Sequence, residues 1–142
     1  RHALDLTVDN LKTKTSIAVP SGSLIHHPEV QHAVADMVIE LEGIGPQLDR
    51  IGDDWSQGVD HGGAWPVKIV ATKHRVVEAV WKVVDTAFDL AGGHGIFAAS
   101  GFERLFRDAR LGRIHPTNSA LTHEVVAKLT LGINPDAQPR WG

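Results

Sequence analysis

The run WPVKIVATKHRVVEAVWKVVDTAFDL, from Trp65 to Leu90, constrains the fold of this 142-residue chain more than any other stretch. Its polar positions Lys68, Arg75, Glu78, Lys82, Asp85 and Asp89 fall on one narrow strip at helical spacing. Val70, Val77, Val80, Trp81, Val84 and Phe88 lie on one side of the strip, and Ile69, Val76, Val83 and Ala87 on the other. A helix at a protein surface needs only one apolar stripe, so an arc this wide requires contact with more than one neighbouring helix. The valines would suit a strand, but the 3.6-residue period and the length of the run exclude one. This is the expected central helix of a bundle, with Trp81 a candidate core residue.

The remaining segments supply its neighbours. RHALDLTVDNLKTKTS sets Leu4, Val8 and Leu11 one turn apart and reads as an amphipathic helix, followed by a loop from Ile17 to His26 containing Pro20 and Gly22. His27-Pro28 marks a helix start, because proline at the first helical position has no N–H to leave unpaired. Val30, Val34, Met37, Val38, Leu41, Ile44, Leu48, Ile51 and Trp55 then keep three-four spacing straight across Gly45-Pro46. A stripe that holds its phase across proline predicts one long kinked helix. Ser56 to Gly63 forms a polar turn.

After Leu90 a glycine-rich break, AGGHGIFAAS, leads to a short helix, FERLFRDARLG, which Ser100 and Glu103 are spaced to open as a capping box. IHPTN then turns into a last helix through Leu121, Val125 and Leu129, capped by Asn118 or Thr117. Pro135 and Pro139 forbid helix in the tail.

Composition narrows the chemistry. Fourteen Lys and Arg against 17 Asp and Glu imply no nucleic-acid partner, and the absence of cysteine rules out disulfides and thiolate metal sites, which fits a cytoplasmic setting. No apolar run is long enough to span a membrane. The chain opens on Arg1 within a helix, as a fragment would. GHGIFA matches G-x-G-x-x-A but follows a helix, whereas the dinucleotide fingerprint follows a strand. HEVVA at His123 lacks the second histidine of a zinc protease, and His26, His27 and His32 make only a weak group at ligand spacing that reads as solvated side chains. Gly92, Gly93 and Gly95 would let a ligand approach bare backbone, and a helix end followed by a tight turn accounts for the same residues.

The ordered motifs DLAGGHG, RDAR and RIHPTN, with HPEVQHAVADM upstream, resemble the C-terminal helical domain of acyl-CoA dehydrogenases. Those proteins carry Q-I-x-G-G-x-G, R-D-A and I-Y-E-G-T in the same order and nearly the same spacing. The resemblance implies an antiparallel four-helix bundle over residues 1–142 of a larger flavoprotein whose N-terminal helical and middle β domains lie outside this chain. It also implies FAD, an acyl-CoA substrate, electron-transfer flavoprotein or oxygen as acceptor, a role in lipid metabolism, and a homo- or hetero-oligomer, dimer or tetramer. Gly92 and Gly93 correspond to the glycines that touch the ADP half of FAD, often from a neighbouring subunit, and Asp89 to the family glutamine. Lys14 through Ala18 corresponds to the pyrophosphate loop, with lysine in place of arginine. His115 and Asn118 are placed near the flavin. Pro116 occupies the position of the catalytic glutamate in many relatives, so no catalytic residue is assigned here, and none is assigned to a metal. Some relatives carry that glutamate on an earlier helix. Two alternatives remain: a flavin-dependent monooxygenase of the same superfamily, which needs no such base, and a non-catalytic helical assembly subunit. The fragment alone is expected to be inactive.

Overall fold

The computed structural model describes residues 1–17 and 19–134, and in it the wide arc of the central run is met by four other helices. The α-helices are α1 (His2–Thr13), α2 (Pro28–Ser56), α3 (Trp65–Ala91), α4 (Phe102–Ile114) and α5 (Ser119–Thr130). Short 3-10 turns join them at Leu24–His26, Gly62–Ala64, Gly92–Ile96 and Ala98–Ser100. Among the described residues there is no strand, only an isolated antiparallel bridge between Thr15 and Ser23. The tail prolines Pro135 and Pro139 lie outside the described residues.

The expected all-α bundle is the architecture observed. Helices α1 to α4 share one core of Ala3 and Leu4, Met37, then Val83, Val84, Ala87 and Ala91, then Phe102. Val83 and Val84 were assigned to opposite sides of the polar strip, and both are buried. α5 packs against α3 as well. α2 begins with Pro28 in its first turn and continues as helix through Pro46.

Three expectations are corrected. The α2 stripe is covered at Met37 and Ile44, but Leu48 and Trp55 are exposed, with Trp55 meeting Trp65 only edge-on at 5.7 Å. Trp81 is only half-buried: its ring packs on Phe106 at 4.9 Å, and the Arg110 and Arg113 guanidinium groups stand 5.6 and 5.4 Å from its centroid. Such flat cations hold an indole at a rim without enclosing it. The capping box does not form either. Gly101, in the left-handed region at φ +76°, is the cap residue of α4, and Glu103 pairs with Arg107 at 3.1 Å. Ser100 is buried instead, its hydroxyl accepting from the Phe102 N–H and donating toward the Phe97 and Gly95 carbonyls.

The α2–α3 hairpin is locked by a carboxylate that the sequence reading passed over. Asp54 is buried and accepts from His61 Nε2 at 2.8 Å and from Arg50 Nε at 2.9 Å. His61 in turn stands edge-on to Trp65. The hydrogen bond from His61 chiefly holds the Asp54 carboxyl below its ordinary pKa, with Arg50 adding to it and burial opposing.

Two outcomes follow from this packing. Met37 is fully buried, so Met37→Ala should lower unfolding free energy in urea by about 2–5 kcal/mol. A carboxyl whose folded pKa is depressed contributes stability that is complete above the unfolded value, about 3.9, and is lost as pH falls through the folded value. Asp54→Asn should therefore destabilise the protein at pH 7, and its deficit against the wild type should shrink below about pH 4. A deficit independent of pH would show that Asp54 acts through packing alone.

Candidate functional site

The glycine corner forms because α3 cannot continue. Gly92 adopts φ +60° and its N–H closes the last turn onto the Phe88 and Asp89 carbonyls, a helix ending that favours glycine. Gly95 is buried, and a Cβ there would stand 3.1 Å from the Ala91 side chain and 3.6 Å from the Phe88 ring, so close packing needs glycine. Gly93 differs. It is exposed, its φ is ordinary, and a Cβ added to it would meet nothing within 4 Å. Among the described residues nothing demands glycine at 93, as is also the case at Gly43, Gly45, Gly52 and Gly63. Ile96 and Phe97 beside it are 64% and 60% exposed, leaving an apolar lip around bare backbone.

Lys14 joins this corner from α1. Its Nζ donates to the Ala91 carbonyl at 2.6 Å and to the Leu90 carbonyl at 3.1 Å, placing a cation at the negative end of α3. Burial lowers its pKa from the ordinary lysine value. Two of its three N–H groups are thus directed at the helix end. Asp89 is exposed in the last turn of the same helix.

His115 and Asn118 belong to a second cluster. His115 is exposed at the end of α4, and Asn118 caps α5 by accepting from the Leu121 N–H at 3.0 Å. The turn between them is held by Lys73, whose Nζ donates to the carbonyls of Thr117 at 2.5 Å, His115 at 3.2 Å and Gly112 at 3.5 Å. Sequence reasoning missed Lys73. Two residues before Arg75, it is rotated about 200° from the polar strip, into the apolar arc. A charge in an apolar arc was the available signal, because such a group needs partners from another element.

The two clusters are not brought together. Ala91 lies about 27 Å along the α3 axis from Lys73, at roughly 1.5 Å per residue. Lys14, Asp89, Gly92 and Gly93 therefore gather at one end, and His115, Pro116 and Asn118 well back along the same helix. Among the described residues no group of three His, Asp or Glu side chains could hold a metal ion, and no helix is long and apolar enough to cross a membrane.

The chain belongs to the acyl-CoA dehydrogenase family: residues 1–129 match the family described as "Acyl-CoA dehydrogenase, C-terminal domain". It is also similar to the L-prolyl-[peptidyl-carrier protein] dehydrogenase of Pseudomonas fluorescens, at 26% identity over 125 residues. That similarity covers 88% of this chain and 31% of the relative, so the chain spans less than a third of that protein's length.

Replacing Lys73 with Met removes three carbonyl contacts and keeps the length of the side chain. The variant should lose about 1.5–3 kcal/mol in chemical denaturation, as for a charge-assisted hydrogen bond, with faster amide exchange at residues 115–118. Unchanged exchange there would mean that the turn holds its shape without the lysine.

Proposed function

We propose that this chain is the C-terminal bundle of a FAD-dependent acyl-CoA dehydrogenase, working with N-terminal helical and middle β domains that complete the site. The observation that carries this reading is the match of residues 1–129 to the family's C-terminal domain, in which the exposed Gly92-Gly93 corner follows the long central helix. FAD, when bound, accepts the hydride from the β-carbon of the acyl thioester while a base takes the α-proton.

The corner fits one part of that cofactor better than another. The carboxyl end of α3 and the Asp89 carboxylate disfavour a phosphate, and Lys14 is directed at the helix carbonyls. Asp89 suits ribose hydroxyls, which donate to a carboxylate, and Gly92 and Gly93 suit close approach of the adenosine end. Asn118 opens α5, whose amino end favours an anion such as the pyrophosphate. With the clusters so far apart, the corner serves one cofactor and the turn another, the corner reaching into a neighbouring subunit of a dimer or tetramer. Electron-transfer flavoprotein or oxygen then takes the electrons.

Pro116 has no proton-accepting group, and under this proposal the base stands on an earlier helix, as in some relatives. The same proline is compatible with a second reading, a flavin-dependent monooxygenase, in which His115 and Asn118 stand near the flavin and no α-proton is removed. The relative's action on L-prolyl-[peptidyl-carrier protein] makes a carrier-bound acyl group a substrate to test beside acyl-CoA.

The intact protein should purify with flavin absorbance and reduce an artificial electron acceptor when given an acyl-CoA. Flavin retention without such turnover, together with oxygen-dependent hydroxylation, would select the monooxygenase. Absence of flavin would leave a helical assembly subunit. Gly93→Phe should keep the helical circular dichroism of the wild type and reduce bound FAD at least severalfold. Full flavin content in that variant would remove Gly93 from the site.

A further inference from the structure

The turn between α2 and α3 builds a cleft that the proposed function leaves unused. Trp65 opens α3, so the cleft lies about 39 Å along that axis from the corner at Ala91, at roughly 1.5 Å per residue. Its volume is about 420 Å³, and Trp55, Gly58, Val59, Asp60 and Trp65 line it.

The chain itself holds this shape. The Val59 N–H donates to the Asp54 carbonyl at 2.9 Å and the Gly58 N–H to the Trp55 carbonyl at 3.2 Å, while the Asp54 carboxylate holds His61 at 2.8 Å. Gly58 turns the backbone at φ +64°, and a Cβ there would meet nothing within 4 Å. A ligand therefore meets walls already in place, and little ordering of the protein opposes its binding.

Two indoles make those walls. Trp55 and Trp65 stand at 79° to each other with centroids 5.7 Å apart. Edge-to-face geometry leaves a corner bounded by one face of each ring, and ring faces carry the negative part of the quadrupole. Trp55 is 69% exposed, so its π surface is open to a ligand. The charge beside the rings has the same sign. Asp60 is exposed; its Oδ1 accepts the Gly62 N–H at 2.7 Å, and among the described residues no cation pairs with it. Arg50, on the same side of the hairpin turn as Trp55, is taken by Asp54 at 2.9 Å.

Aromatic faces beside an unpaired carboxylate select a cation. The angle between the rings selects its form. A flat guanidinium stacks on one ring at a time, whereas a rounded quaternary ammonium lays its methyl groups on two faces that meet near a right angle. A primary ammonium is more strongly hydrated and has one carboxylate here to replace that water. We propose that the cleft between Trp55 and Trp65 is a binding site for a quaternary ammonium group, with Asp60 balancing its charge.

The intact protein is titrated calorimetrically with choline and with its uncharged isostere, in which a quaternary carbon replaces the nitrogen. Choline should bind about five- to thirtyfold more tightly, the factor expected for a cation on aromatic faces. Trp55→Leu, which keeps an exposed apolar side chain, should weaken choline by a similar factor and weaken the isostere much less, with the thermal midpoint nearly unchanged. Asp60→Asn retains the acceptor for the Gly62 N–H and should weaken choline severalfold without affecting the isostere. Flavin content should be the same in the wild type and both variants. A trimethyllysine peptide of otherwise neutral sequence separates the sources: tighter binding than choline assigns the group to a polypeptide, weaker binding to a small molecule. No choline binding up to about 10 mM, equal affinity for choline and its isostere, choline affinity unchanged by Trp55→Leu, or tighter binding of ethylguanidinium than of choline would each overturn the proposal.

Discussion

Burial of α3 on more than one side is the constraint from which the rest of the molecule follows. A helix with apolar residues flanking both sides of a thin polar strip cannot rest on a single partner without leaving much of its surface in water. This chain surrounds it with α1, α2, α4 and α5. The core at Val83, Val84, Ala87 and Ala91 joins three other helices, and Gly92 ends α3 just beyond it, which sets where the glycine corner stands.

Two lysines then shape what α3 displays. Lys14 ties the carboxyl end of α3 to the end of α1, and Lys73 draws the turn between α4 and α5 onto the side of α3. Each donates to main-chain carbonyls, so each positions backbone directly. The result is two irregular segments at a fixed separation, both facing away from the common core. Exposed Ile96 and Phe97 at one, and exposed Leu111 and Ile114 near the other, leave apolar surface that other polypeptide or a bound group would cover.

Much of this was legible in the residues. The period of the central run gave the bundle, Pro28 and Asn118 marked real helix starts, and continuity of the stripe across Pro46 carried α2 through as one helix. What was illegible depends on contacts between distant segments. Ser100 and Glu103 have the spacing of a capping box, yet Ser100 is claimed by the Gly95 and Phe97 carbonyls and Glu103 by Arg107. Periodicity predicts a face for Trp55 and Leu48 but not whether a helix of the same chain will cover it. At the candidate site the glycines looked alike in sequence, and only the folded backbone separates Gly95, needed for packing, from Gly93, which is not. Lys14 was placed beside a phosphate by analogy, and its distance to the Ala91 carbonyl came only with the fold.

The central claim is that the main chain after α3 is held open for an adenine-bearing cofactor bound mostly by other polypeptide. Amide exchange across residues 92–97 of the intact protein, compared with and without FAD, tests it most directly. Protection of Gly93 and His94 on loading, with the buried interior of α3 unchanged, is the result this account predicts. Identical exchange at the corner in both states would contradict it.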